Sequence, residues 1–100
     1  MYESKIKQIA SYYGFESQLI QTADESSEFA HAALKLRREY KGCPDLIDCE
    51  HYDNLIEEMA DTLIMIEQLC YLLGCEQAVK DIVAEKLDRQ LERIGKAVQR

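Results

Sequence analysis

The sequence predicts an all-α fold: a four-helix, bundle-like protomer with a central antiparallel helical hairpin, built to form an oligomer. Three observations predict it. Helix-favouring residues dominate, with one Pro and four Gly in 100 residues. No stretch alternates polar and apolar residues between turn signals, as a strand would. Instead, apolar residues recur three and four apart along most of the chain. The length corresponds to a single domain, residues 1–100. A domain of this size covers a modest share of its own surface, which favours self-association.

The elements follow in order. A short amphipathic helix is expected over about 2–13, with Ile6, Ile9, Ala10 and Tyr13 on one face. Gly14 is its stop. Ser17 is the N-cap candidate for a second helix running to about Tyr40, with Leu19, Ile20, Ala23, Ala30, Ala33 and Leu34 as its apolar side. Gly42-Cys43-Pro44-Asp45 is the clearest break in the chain. Residues 45–52 read as loop or as an early turn of the next helix. A third helix is expected over 53–73, with the stripe Leu55, Met59, Leu63, Ile66, Cys70 and Leu73, and it ends at Gly74. A fourth, over 76–96, carries Val79, Ile82, Val83, Leu87, Leu91 and Ile94.

Composition narrows the function classes. A net charge of −7 argues against coating nucleic acid, and a bound polyphosphate would need cations supplied locally. There is no recognisable signal peptide and no apolar run long enough for a membrane span, so a cytoplasmic location is expected. The four cysteines, Cys43, Cys49, Cys70 and Cys75, lack CxxC spacing and read as free thiols, with Cys70 in the core. Zinc on Cys43, Cys49 and His51 would lack an evident fourth ligand.

The chemistry concentrates in two acidic pairs. Glu25 and Glu28 are three apart on the second helix, and Glu58 and Asp61 are three apart on the third. Residues at that spacing share a helix face. In an antiparallel hairpin, facing positions add to a constant. Glu28 opposite Glu58 and Glu25 opposite Asp61 both add to 86, and their midpoint, residue 43, falls inside the Gly-Cys-Pro break. The acids also lie on seams to one side of the main apolar stripes. Glu58, Asp61, Met65, Gln68 and Leu72 form one; Gln18, Gln21, Glu25, Glu28 and Ala32 form the other. Converging carboxylates repel, so some take up protons or a divalent cation binds. Oxygen ligands suit Mg²⁺ or Mn²⁺, and magnesium commonly shares carboxylates with substrate phosphates. Gln18 and Gln21 can donate to the carboxylates from behind or serve as seam polars. Asp24, Asp53 and Glu57 read as a solvated face.

Glu25-x-x-Glu28 followed by Glu58-x-x-Asp61 resembles the signature of the MazG-like, all-α nucleoside triphosphate pyrophosphohydrolases. Gly14-Phe15-Glu16-Ser17-Gln18-Leu19 before the first pair and Glu85-Lys86-Leu87-Asp88-Arg89-Gln90-Leu91-Glu92-Arg93 near the end are similar to that family's flanking segments. The resemblance covers residues 14–93. Asp24 stands where the family usually has Glu, Gln90 stands where Asn is common, and the connection between the two motifs is somewhat long. The resemblance implies hydrolysis of a nucleoside triphosphate to the monophosphate and pyrophosphate. It implies magnesium on Glu25, Glu28, Glu58 and Asp61, a triphosphate steadied by Lys86, Arg89 and Arg93, and Gln90 near the sugar or base. It also implies a homodimer or homotetramer.

Other readings of the same residues exist. The acids can be solvated helix faces. Lys86, Arg89 and Arg93 can pair with Glu85, Asp88 and Glu92 on their own helix. Glu28-x-x-His31 has the spacing of a di-iron carboxylate bundle, although the second acidic pair ends in Asp61, not His. The second apolar side of the third helix also suits a non-catalytic module that binds a partner helix.

Overall fold

The computed structural model describes residues 2–40, 45 and 49–99. These form four helices and, among the described residues, no strand: α1 (Glu3–Tyr13), α2 (Phe15–Tyr40), α3 (Tyr52–Leu73) and α4 (Glu76–Gln99). Gly14, at φ 86°, ends α1 and donates its N–H to the Ala10 carbonyl. α2 then starts at Phe15, so Ser17 lies inside the helix and is not its N-cap. The Gly42–Pro44 break lies outside the described residues; Asp45 belongs to no helix. Gly74, in the left-handed region at φ 63°, ends α3.

α2 and α3 meet along the acid-bearing seams. The buried or half-buried positions of α2 include Gln18, Thr22, Glu25, Phe29, Ala32 and Leu36, spaced four, three, four, three and four apart. On α3 they include Glu58, Asp61, Thr62, Met65, Gln68 and Leu72. Contacts pair rising numbers on α2 with falling numbers on and just before α3: Gln18 with Gln68, Glu25 with Asp61, and Glu39 with His51, the residue preceding α3. The Gln18–Gln68 pair adds to the same 86 as the two acidic pairs. The Gln18 Nε2 donates to Gln68 Oε1 at 2.7 Å, and both side chains are almost wholly buried. A buried amide without a partner would be costly, so the pair acts as a register pin.

The stripes expected to form the core lie elsewhere. Leu19, Ile20, Ala23, Ala30, Ala33 and Leu34 are all exposed, as are Met59, Leu63, Ile66 and Leu73. Ala10 of α1 is fully buried, but Tyr13 faces outward. α1 lies along one flank of α3, where Ile6, Ile9, Leu63, Ile64 and Tyr71 line an open groove. The physical reason is simple. α3 is apolar on two sides, and the 11 residues of α1 are too few to cover the second.

α4 also departs from the bundle expectation. Every described side chain from Glu76 to Val98 is exposed, including Leu87 and Leu91, the latter at 67%. The helix leaves the α3 corner as an arm instead of folding back as a fourth bundle member. The radius of gyration, 17.2 Å, exceeds the value of about 13 Å for a compact chain of this length. No helix among the described residues is long and apolar enough to cross a membrane.

Candidate metal centre

Three of the four acids come together between α2 and α3. Glu25, Glu58 and Asp61 each direct one carboxylate oxygen so that all three oxygens lie within 4.8 Å of one another, at half-buried positions. Seam geometry places them. Glu58 and Asp61 sit less than one turn apart on α3, and Glu25 is two turns along α2 from the Gln18–Gln68 pin. Glu28 is exposed at the rim and outside this trio, yet near enough to raise the pKa of both Glu25 and Glu58.

The trio is electrostatically uncomfortable as it stands. Burial pushes the Glu58 carboxyl up, and the Glu28, Asp61 and Glu25 carboxylates push it the same way. Burial also raises Glu25; the hydrogen bond from Gln21 opposes it, and Glu28 and Asp61 reinforce it. Gln21 Nε2 donates to Glu25 Oε1 at 2.9 Å, which orients the carboxylate from outside the cluster. The other oxygen, Glu25 Oε2, is buried with no hydrogen-bond partner, and so is Glu58 Oε2. Two buried, unsatisfied carboxylate oxygens beside a third carboxylate are a donor set that fits a hard divalent cation.

Thr62 also belongs to this seam, outside the two acidic pairs. Its Oγ1 is buried without a partner, one residue beyond Asp61 and one turn beyond Glu58. Its place four residues after Glu58 was the available signal. A second cluster, Glu39, Glu50 and His51, was also missed. His51 Nε2 lies 3.3 Å from Glu39 Oε2, and the other Glu39 oxygen accepts the Glu50 N–H. These contacts tie the last turn of α2 to the start of α3. Glu39 lies seven residues beyond Ala32, where the α2 seam read from the sequence ends, and His51 falls within the ambiguous stretch 45–52. Cys49 is buried, and its Sγ donates to the Asp45 carbonyl at 3.4 Å. Cys43, a member of the zinc set that lacked an evident fourth ligand, lies outside the described residues.

The residues expected to meet the triphosphate, Lys86, Arg89 and Arg93, and Gln90, expected near the sugar or base, are not brought to the acids within one chain. Lys86, Arg89, Gln90 and Arg93 are all exposed on α4. Arg89 pairs with Glu85 on its own helix at 3.3 Å. His31 is exposed and stands outside the Glu25, Glu58 and Asp61 trio.

Compared with protein-family models, with curated proteins and with solved structures, the chain matches none.

Proposed function

We propose that this protein is a magnesium-dependent nucleoside triphosphate pyrophosphohydrolase, converting a ribo- or deoxyribonucleoside triphosphate and water to the monophosphate and pyrophosphate. One observation carries the reading: the Glu25, Glu58 and Asp61 oxygens converge within 4.8 Å, and Glu25 Oε2 and Glu58 Oε2 are buried without partners. Glu25, Glu58 and Asp61 hold the cation, with Glu28 joining from the rim. Bound there, Mg²⁺ or Mn²⁺ supplies charge neutralisation at phosphate oxygens and polarises a water molecule. Gln21 orients Glu25 through its Oε1 and leaves Oε2 free for the cation. The α2–α3 pair serves as the antiparallel hairpin that fixes these side chains.

Lys86, Arg89, Gln90 and Arg93 steady the substrate in an assembled homodimer or homotetramer. The exposed apolar stripe of α4 supports such an assembly, because its burial against another copy would remove a large apolar surface from water. The test is a panel of common ribo- and deoxyribonucleoside triphosphates with magnesium, read by pyrophosphate release. Release from at least one nucleotide is expected, and none across the panel overturns the proposal.

The exposed apolar side of α3, including Met59, Leu63 and Ile66, favours a second reading, a non-catalytic helical module that binds a partner helix there. On that reading magnesium and manganese leave the melting temperature unchanged.

A further inference from the structure

We propose that Cys70 and Cys75 form a redox-responsive dithiol, closing to an intrachain disulfide across the α3–α4 corner by exchange with a small-molecule disulfide. The backbone brings the two residues together. α3 ends in a Schellman turn: the Cys75 N–H donates to the Cys70 carbonyl at 3.1 Å, and the Gly74 N–H donates to the Tyr71 carbonyl at 3.3 Å. Gly74 occupies the left-handed position that this turn requires, at φ 63°. In such a turn the residues at the two ends of the outer hydrogen bond, here Cys75 and Cys70, bring their side chains together, and an apolar pair commonly fills those places. Here both places hold cysteine. The hydrogen bond holds the two Cα atoms about 5–7 Å apart, overlapping the range in which disulfides form.

Neither thiol is sealed away. Both cysteines are free and half-buried, and the Cys75 sulfur lies within hydrogen-bonding reach of the Cys70 thiol. Burial, and then the Cys75 sulfur, pushes the Cys70 thiol up. Cys70 therefore stays protonated at neutral pH and takes the second step, where attack is intramolecular. In the first step the Cys75 thiolate attacks one sulfur of the small disulfide. A mixed disulfide forms, and one small thiolate leaves with the proton that Cys75 released. Cys70 then gives up its proton and attacks the Cys75 sulfur. The protein S–S bond forms, and the second small thiol departs. Two protein thiols are oxidised and one disulfide is reduced to two thiols.

The position gives the bond a consequence. Gly74 and Cys75 are the two residues between α3 and α4, and nothing within 4 Å would meet a side chain at Gly74. A covalent tie there fixes the direction of the α4 arm. The dithiol stands or falls independently of the carboxylate site.

The test uses the intact wild-type protein, equilibrated at rising ratios of oxidised to reduced glutathione, acid-quenched, alkylated and cut by a glutamate-specific protease. Cleavage after Glu67 and Glu76 releases Gln68–Glu76, which contains Cys70, Cys75 and no other cysteine. With rising oxidant this peptide is expected to lose both alkyl groups together and to weigh two hydrogens less than its reduced, unalkylated form. Reduction with dithiothreitol restores alkylation, and in Cys75→Ser no disulfide-closed peptide appears. Two alkyl groups retained at every ratio, a persistent glutathione adduct, or a link between two chains each overturns the proposal.

Discussion

Replacing Glu58 with Gln is the sharpest test of the metal centre. The substitution preserves shape, removes one negative charge from the trio and supplies an amide that can donate to Glu25 or Asp61. Its partners lie within 4.8 Å, and burial and then four neighbouring carboxylates, those of Glu28, Asp61, Glu25 and Glu57, already disfavour its charged form. Without metal, Glu58→Gln should therefore melt higher than wild type at pH 7. With metal the order should reverse. A cation that binds only the folded chain at a hundredfold excess over its dissociation constant adds about 2.7 kcal/mol. For a domain of this size that corresponds to a rise of about 10–20 °C. Thermal unfolding followed by circular dichroism, with and without Mg²⁺, measures both effects. Wild type should show the large shift, Glu58→Gln most of its loss, and Glu57→Gln, on the exposed neighbouring position, an undiminished shift. No shift in wild type, or an equal shift in Glu58→Gln, would refute the reasoning.

Three further outcomes are expected. Glu25 and Glu58 have folded pKa values above the ordinary 4.5, so the folded chain binds protons more tightly there. Their stabilising contribution is complete below 4.5 and lost as pH rises through the raised values. The metal-free protein should thus lose stability between weakly acidic and neutral pH, and Glu58→Gln should flatten that slope in denaturant titrations. Gln68→Ala strands the buried Gln18 amide and should cost about 2–4 kcal/mol by urea unfolding, whereas Gln18→Leu with Gln68→Leu should stay within about 1 kcal/mol of wild type. Finally, sedimentation should find wild type heavier than its 11.6 kDa chain, and Leu87→Glu should shift it toward that mass with its helix content intact.

Much of the local structure is legible in the chain. Periodicity and two glycines locate all four helices, and the boundary at Leu73 and Gly74 follows from glycine's freedom at positive φ. The start of α2 was less legible, because Ser17 looks like a cap while Gly14 permits the helix to restart at once. Glu25 and Asp61, matched in the sequence by positions that add to 86, do meet, and the Gln18–Gln68 contact adds to the same value.

What periodicity alone misassigns is which face of each helix is covered. The richest apolar stripe of α2, through Leu19, Ile20 and Leu34, is exposed, while the mixed seam through Gln18, Glu25, Ala32 and Leu36 is packed. Close approach of two helices favours small and hydrogen-bonding residues where they cross, as Ala32 and the Gln18–Gln68 pair do, and hydrophobicity does not rank such faces correctly. The four helices, the breaks at Gly14 and Gly74 and the spacing that sets carboxylates in a seam are local properties, because they depend on neighbours within one turn. That Glu28 stands at the rim, that two carboxylate oxygens are buried without partners, and that α4 projects as an arm came only from the packing of the helices, because each depends on what another helix does or does not cover.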